Sequence, residues 1–167
     1  GLASSMAADV LSQNVVGYYN KSLANGFTIF ANQLDKDGTG TNNTLNTVFS
    51  NSLPNSSVVY AYNGATYDSA IFSTKSGWSG AGLSAVNAAL NKGGGVFVKV
   101  SPATNVTVVG EVRQGTLSKT YPNGFSILGS QVPQAGTVQT TLGFTPSNSD
   151  TVYRYTVGQT YSSAIYA

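Results

Sequence analysis

Apolar and polar residues alternate along much of this chain, and one stretch of the alternation is written twice. In residues 27–32, Phe27, Ile29 and Ala31 alternate with Thr28, Phe30 and Asn32. A period of two predicts a strand with one apolar face and one mixed face. Residues 17–34 read GYYNKSLANGFTIFANQL and residues 115–132 read GTLSKTYPNGFSILGSQV. Laid Gly17 on Gly115, the two blocks align without a gap. Gly17, Lys21, Asn25, Gly26, Phe27, Ile29 and Gln33 meet Gly115, Lys119, Asn123, Gly124, Phe125, Ile127 and Gln131. A second block repeats as well: VVYAYNGATYDSAIF at 58–72 matches TVYRYTVGQTYSSAIY at 151–166, with one residue slipped in. Such self-similarity decides how the rest of the chain is read.

Local signals then predict the elements. Residues 10–19 carry a strand-like mix of apolar and aromatic residues. Asn25-Gly26 is a turn dipeptide, so residues 18–22 and 27–33 are expected to form a hairpin. Its repeat is expected at 116–120 and 125–131, around Pro122-Asn123-Gly124. Asn63-Gly64 predicts a second hairpin between strands starting at Val58 and at Tyr67. Residues 45–49 suit a single helical turn. At 83–92 the period changes: Leu83, Val86, Ala89 and Leu90 share one face, Ser84 is placed to cap, and Gly93 to stop. Residues 96–100 and 106–112 read as strands around a turn at Pro102. The expected core includes Phe27, Ile29, Val59, Ile71, Phe97, Val98, Val108, Phe125, Ile127, Val152 and Ile165.

The sequence therefore predicts an all-β protein of two related β-sandwich or open-barrel lobes, with one short helix near residues 84–92. The first lobe spans 10–112 and the second 113–167. The second copy contains no counterpart of residues 75–112, so it is expected to be a truncated repeat.

Composition narrows the function. Charged residues make up 8% of the 167, against roughly 25% in ordinary soluble proteins. A surface built from Asn, Ser, Thr, Gln and Gly repels weakly and favours packed or assembled states. The net charge of +2 gives no nucleic-acid footprint. There is no Cys and no His, which removes thiol nucleophiles, disulfides and the commonest general base. No run approaches the length of a membrane span. Residues 1–9, GLASSMAAD, look like the tail of a secretory signal peptide with an A-x-A-like site at Ser5-Met6-Ala7, or a small-residue N-terminal tail. An exported protein, secreted or at the cell surface, is expected.

Three candidate sites follow. Asp35, Asp37 and Asn43, in a DKDGTGTNN loop, resemble part of a calcium loop, but the fifth position is Thr39 and the twelfth is Asn46. No other cofactor is expected. Trp78, with Tyr60, Tyr62 and Tyr67, would suit glycan stacking, although the tyrosines recur as Tyr153, Tyr155 and Tyr161 and so suit packing equally. The carboxylates Asp9, Asp35, Asp37, Asp68, Glu111 and Asp150 show no repeat-supported pair and no nucleophile–base pairing, so no enzyme is expected. The third candidate is an assembly strand. Residues 8–16 precede Gly17 as residues 106–114 precede Gly115, with Ala8, Val10 and Leu11 on Val106, Val108 and Val109. Val10, Leu11, Val15 and Val16 would complete the truncated repeat of a neighbouring copy.

The motifs N-G-F-[ST]-I (Asn25–Ile29), V-Y-x-Y (Val59–Tyr62), G-G-G-V-F-V-K (Gly93–Lys99) and G-E-V-x-Q-G-T-L (Gly110–Leu117) resemble a tandem β-repeat family of secreted bacterial proteins of unknown function. The resemblance implies a fold and an extracellular, bacterial setting, and is silent on chemistry. The expected function is a secreted structural subunit that polymerises with itself, head to tail, into a fibre or surface layer by β-strand addition. The alternative is a secreted carbohydrate- or surface-binding module, with a polysaccharide as partner.

Overall fold

The computed structural model describes residues 15–91, 93–156, 158 and 160–167. Residues 1–9, read above as a signal-peptide tail or N-terminal tail, and Val10 and Leu11 lie outside the described residues. The chain is all-β, with two short helices among the described residues. In order come β1 (Val16–Leu23), β2 (Gly26–Ala31), α1 (Leu45–Phe49), β3 (Val58–Tyr62), β4 (Tyr67–Ser73), β5 (Gly77–Ser79), α2 (Leu83–Ala89), β6 (Gly95–Val100), β7 (Thr104–Glu111), β8 (Thr151–Thr156) and β9 (Thr160–Ile165).

The Asn63-Gly64 hairpin forms as the sequence predicts, with Tyr62 opposite Tyr67 and Val58 opposite Ile71. Asn63 closes the turn by accepting from the Ala65 and Thr66 amides. The Asn25-Gly26 hairpin does not form. β1 pairs with β7, and β2 pairs with β6, all antiparallel. β1–β2 and β6–β7 are thus the two arms of one long ribbon that bends at a corner, Leu23 facing Thr104 before the bend and Gly26 facing Val100 after it. Gly26 adopts φ +97° at the corner, a conformation glycine takes without a Cβ penalty. Asn-Gly supplies a bend where the sequence signals a turn, but the ladder of β2 goes to the strongly apolar GVFVKV strand and not back to β1.

The five-stranded sheet has the order β2-β6-β3-β4-β5. Alternation decides its two faces. Phe30, Val59, Ala61, Ala70, Phe72, Val96, Val98 and Val100 are buried on the inner face. They pack with Leu23, Val106 and Val108 of the β1–β7 ribbon, Leu45, Val48 and Phe49 of α1, and Val86 and Leu90 from α2 and its end. Each fully buried large side chain contributes about 1.5–3 kcal/mol. Thr44 caps α1 in a reciprocal box with Thr47. α2 begins after Gly82 with no side-chain cap, so Ser84 lies inside the helix, and the helix ends at Ala89 instead of Lys92.

The predicted core is corrected in part. Val59, Val98 and Val108 are buried as expected. Phe27, Ile29 and Phe97 sit half-buried on the outer face, and Ile71, Phe125 and Ile165 are exposed. The sequence period identifies faces but does not say which face the helices cover.

Candidate assembly site

The second copy keeps the local conformations of the first and lacks its pairing. Gly124 has φ +96° where Gly26 has +97°, and Gly158 has φ +98° where Gly64 has +99°. The cross-hairpin pair Tyr62–Tyr67, ring centroids 5.2 Å apart, recurs as Tyr155–Tyr161, also 5.2 Å. Phe27 and Tyr60 lie 5.8 Å apart at 45°, and Phe125 and Tyr153 lie 5.9 Å apart at 45°. In copy one those two rings stand on β2 and β3, the two neighbours of β6. The β8–β9 hairpin forms in full register. Residues 116–120 and 125–131, however, form no hairpin, and among the described residues their one ladder contact is the bridge between Gly94 and Leu128. The physical reason is that β1 and β2 take their hydrogen bonds from β7 and β6, and no described strand stands in the corresponding places beside the copy-two segments. Unpaired strand edges present free N–H and C=O groups, which template pairing with another chain.

The unpaired segment lies against the first copy. The Gly129 amide donates to Gly93 at 3.0 Å, and the Tyr121 hydroxyl donates to the same carbonyl at 2.8 Å. Arg113 donates to Gln131. Ile127 fills the space over Gly95, where a Cβ would collide with its Cγ2 methyl. Tyr155 meets Phe97 edge to face at 5.4 Å. Burial pushes the Tyr121 phenol above its ordinary pKa and holds the Lys119 ammonium below its own. Lys119 stands 5.3 Å over the Tyr121 ring. Phe125, 70% accessible, Tyr153, 50%, and Ile165, 70%, are large hydrophobic residues that the second copy exposes.

The sequence-predicted site residues fall as follows. Val15 and Val16 are exposed, but their backbone is engaged in their own chain's ladder. The Val15 carbonyl accepts from the Val112 amide at 2.6 Å, and Val16 faces Glu111. Trp78 is wedged among core rings, 5.2 Å from Phe72 and 6.3 Å from Phe49. Its indole lines a cleft of about 140 Å³ with Thr44, Leu45, Asn46, Leu83 and Asn87, and its N–H is buried without a partner. It presents no platform with Tyr60, Tyr62 and Tyr67, which belong to the outer face.

Asp35 and Asn43 come together and Asp37 stands apart. Asp35 is buried and accepts from the Gly40 amide at 2.5 Å and from the Asn43 side chain at 2.6 Å. Asp37 accepts from Thr39 and Asn42. The Asn42 amide, then Thr39, hold its carboxyl below the usual range. The carboxyl oxygens are thus occupied by donors of their own loop. Among the described residues no three acidic side chains gather as metal ligands, and no helix is long and apolar enough to cross a membrane.

No protein-family model, curated protein or solved structure matches the chain.

What sequence reasoning missed is the Asp35–Asn43–Asn91–Asn87 network. Asn43 donates to Asn91 at 3.0 Å, and Asn87 accepts from the Leu45 amide at 2.9 Å. It ties the Gly-rich loop and α1 to α2. The recurrence of Asn at 87 and 91, one helical turn apart beside apolar positions, was the available signal.

Proposed function

We propose that this chain is a structural subunit that assembles with copies of itself, head to tail, by β-strand addition into an extracellular fibre or surface layer. The observation that carries the proposal is the second copy of the repeat. It has the turns, the hairpin and the aromatic spacing of a complete unit, and among the described residues its β1- and β2-like segments have no ladder partner beyond the Gly94–Leu128 bridge. An open edge of this kind accepts an extended segment through backbone hydrogen bonds, with alternate side chains setting specificity. Donor and acceptor are different surfaces, so the contact is heterologous and can propagate. The low charge of the chain supports close packing of copies. Placement outside the cell rests on the Ala/Ser-rich start and on the resemblance to secreted β-repeat proteins.

The test is removal of residues 1–14. Negative-stain microscopy of the full chain should show filaments or sheets. The shortened chain should stay as discrete particles with an unchanged circular dichroism spectrum, since every described strand lies beyond residue 14. Filaments of undiminished length from the shortened chain would rule the proposal out.

A further inference from the structure

We propose that Tyr62 and Tyr67, which face each other across the β3–β4 hairpin, are a site of oxidative coupling to dityrosine, and that Tyr155 and Tyr161 repeat the site on the β8–β9 hairpin. Tyr62 and Tyr67 are direct partners in the ladder. The Asn63 amide donates to the Thr66 carbonyl at 3.0 Å. Asn63–Thr66 is therefore the hydrogen-bonded kind of pair, and Tyr62–Tyr67, the next one out, is the close, non-bonded kind. Its ring centroids lie 5.2 Å apart at 54°. Tyr155 and Tyr161 are also ladder partners, with centroids 5.2 Å apart at 65°. The second hairpin has one residue slipped into its turn, and the ring spacing is kept all the same. Tyr67 is 47% accessible and Tyr161 56%, whereas Tyr62 and Tyr155 are half-buried. Each pair thus offers one ring to an oxidant in solution and holds the other in place. Tyr18 is more exposed still, but its ladder partner is Val109, so it has no phenol opposite to meet.

The coupling takes one electron and the hydroxyl proton from each phenol. The two phenoxyl radicals join ring carbon to ring carbon, ortho to the oxygens. Those two carbons then release their hydrogens as protons, and the oxygens take up two protons, which restores both phenols. In all, two electrons go to a one-electron oxidant and two protons to water. Persulfate activated by a light-excited ruthenium complex accepts the two electrons and becomes two sulfate ions. Two short-lived radicals must meet, and a pair already held side by side meets far more often than two free rings. The Tyr62 hydroxyl donates to the Gly64 carbonyl at 2.8 Å, which fixes that ring against the turn. Burial, and then the nearby phenols of Tyr161 and Tyr62, hold the Tyr67 phenol above its ordinary pKa, so Tyr161 is the competing partner for Tyr67. The chain has no cysteine. Coupling therefore supplies each hairpin with a covalent tie that a disulfide cannot. The site lies within one chain and does not rest on the head-to-tail reading.

The sequence itself makes the bond easy to map. Hydroxylamine cuts Asn-Gly bonds, here at Asn25-Gly26, Asn63-Gly64 and Asn123-Gly124, leaving fragments 1–25, 26–63, 64–123 and 124–167. The full chain is oxidised with persulfate and the illuminated ruthenium complex, and material with the mass of one chain is then cleaved. A Tyr62–Tyr67 bond should join fragment 26–63 to fragment 64–123. A Tyr155–Tyr161 bond should stay inside 124–167 and lower its mass by two hydrogen atoms. Tyr62→Phe and Tyr67→Phe, each with an unchanged circular dichroism spectrum, should abolish the joined fragment and leave the 124–167 product. Both products should fall at least about tenfold when the chain is unfolded in urea before oxidation. Fragment 64–123 joined to 124–167 in place of 26–63 would assign Tyr67 to Tyr161 and overturn the pairing. Dityrosine formed only between chains, or in a yield that unfolding leaves unchanged, would overturn the site. So would its absence from the folded chain under light that couples free tyrosine.

Discussion

Replacing Phe30 by alanine should destabilise the fold by about 3–5 kcal/mol, read as the shift in a urea or guanidinium unfolding curve. Phe30 is the large inward side chain of β2 and is 1% accessible. Its ring lies 4.8 Å from that of Phe49, so it joins the five-stranded sheet to α1. Its backbone lies opposite Val96 on β6. A cavity there has a sheet on one side and a helix on the other, and neither can collapse far without losing its own hydrogen bonds. The loss should therefore sit at the upper end of the range for such truncations. Two controls keep the claim sharp. Ile71→Ala, on the exposed outer face, should cost under about 1 kcal/mol. Leu128→Ala, the copy-two equivalent of Phe30, should cost less than Phe30→Ala, because Leu128 is only half-buried. A Phe30→Ala loss below about 1 kcal/mol would mean the core is not where the described packing puts it.

Asn43→Ala should cost about 2–4 kcal/mol, although it removes few apolar contacts. Asn43 and Asp35 are both buried. The Asn43 carboxamide donates to Asp35 and to Asn91, and its oxygen accepts from the Lys36 amide at 3.0 Å. Truncation strands one oxygen of a buried carboxyl and the Lys36 backbone N–H at once, and leaves the Asn91 oxygen with only the Asn43 backbone N–H at 3.1 Å. Unmade hydrogen bonds of buried groups cost more than made ones return. Asp35 also bridges by backbone to Glu111 at the end of β7, so loosening the loop reaches the ribbon. Asp37→Ala, whose partners are exposed, should stay within about 0.5–1 kcal/mol of the parent. Equal losses at Asn43 and Asp37 would contradict this division of the loop into a buried anchor and an exposed turn.

The parts of the fold that were legible are those decided within a short span of chain. The hairpin around Asn63-Gly64 has its strands a few residues apart, so turn chemistry and alternation suffice. Both helices announce themselves by apolar spacing, and the Thr44–Thr47 box is local. Residues 18–33 were not legible as they fold, because their partners on β6 and β7 lie about 64 to 91 residues further on. An Asn-Gly corner and an Asn-Gly hairpin turn need the same glycine conformation. What separates them is which strand offers the better ladder, and that is a property of the whole sheet. The inner and outer faces were ambiguous for the same reason: Phe27 and Ile29 are as apolar as Phe30, and only the position of α1 and α2 decides between them. The candidate site was legible through the repeat alone. Copy two contains the β1- and β2-like words, and among the described residues these words belong to no named strand. Trp78, by contrast, drew notice as a lone aromatic and is accounted for by Phe49 and Phe72 beside it.

The central claim is that segment 114–121 waits for a strand and receives one on assembly. Amide hydrogen exchange, compared residue by residue between unassembled and assembled chains, tests it most directly. Before assembly the amides of Gly115, Leu117 and Lys119 should exchange freely, as they have no ladder partner among the described residues. After assembly these three should slow by at least about a hundredfold, while Thr116, Ser118 and Thr120, whose amides point away from the added strand, slow much less. Unchanged exchange across 115–121 in assembled material, with protection appearing elsewhere, would contradict the account.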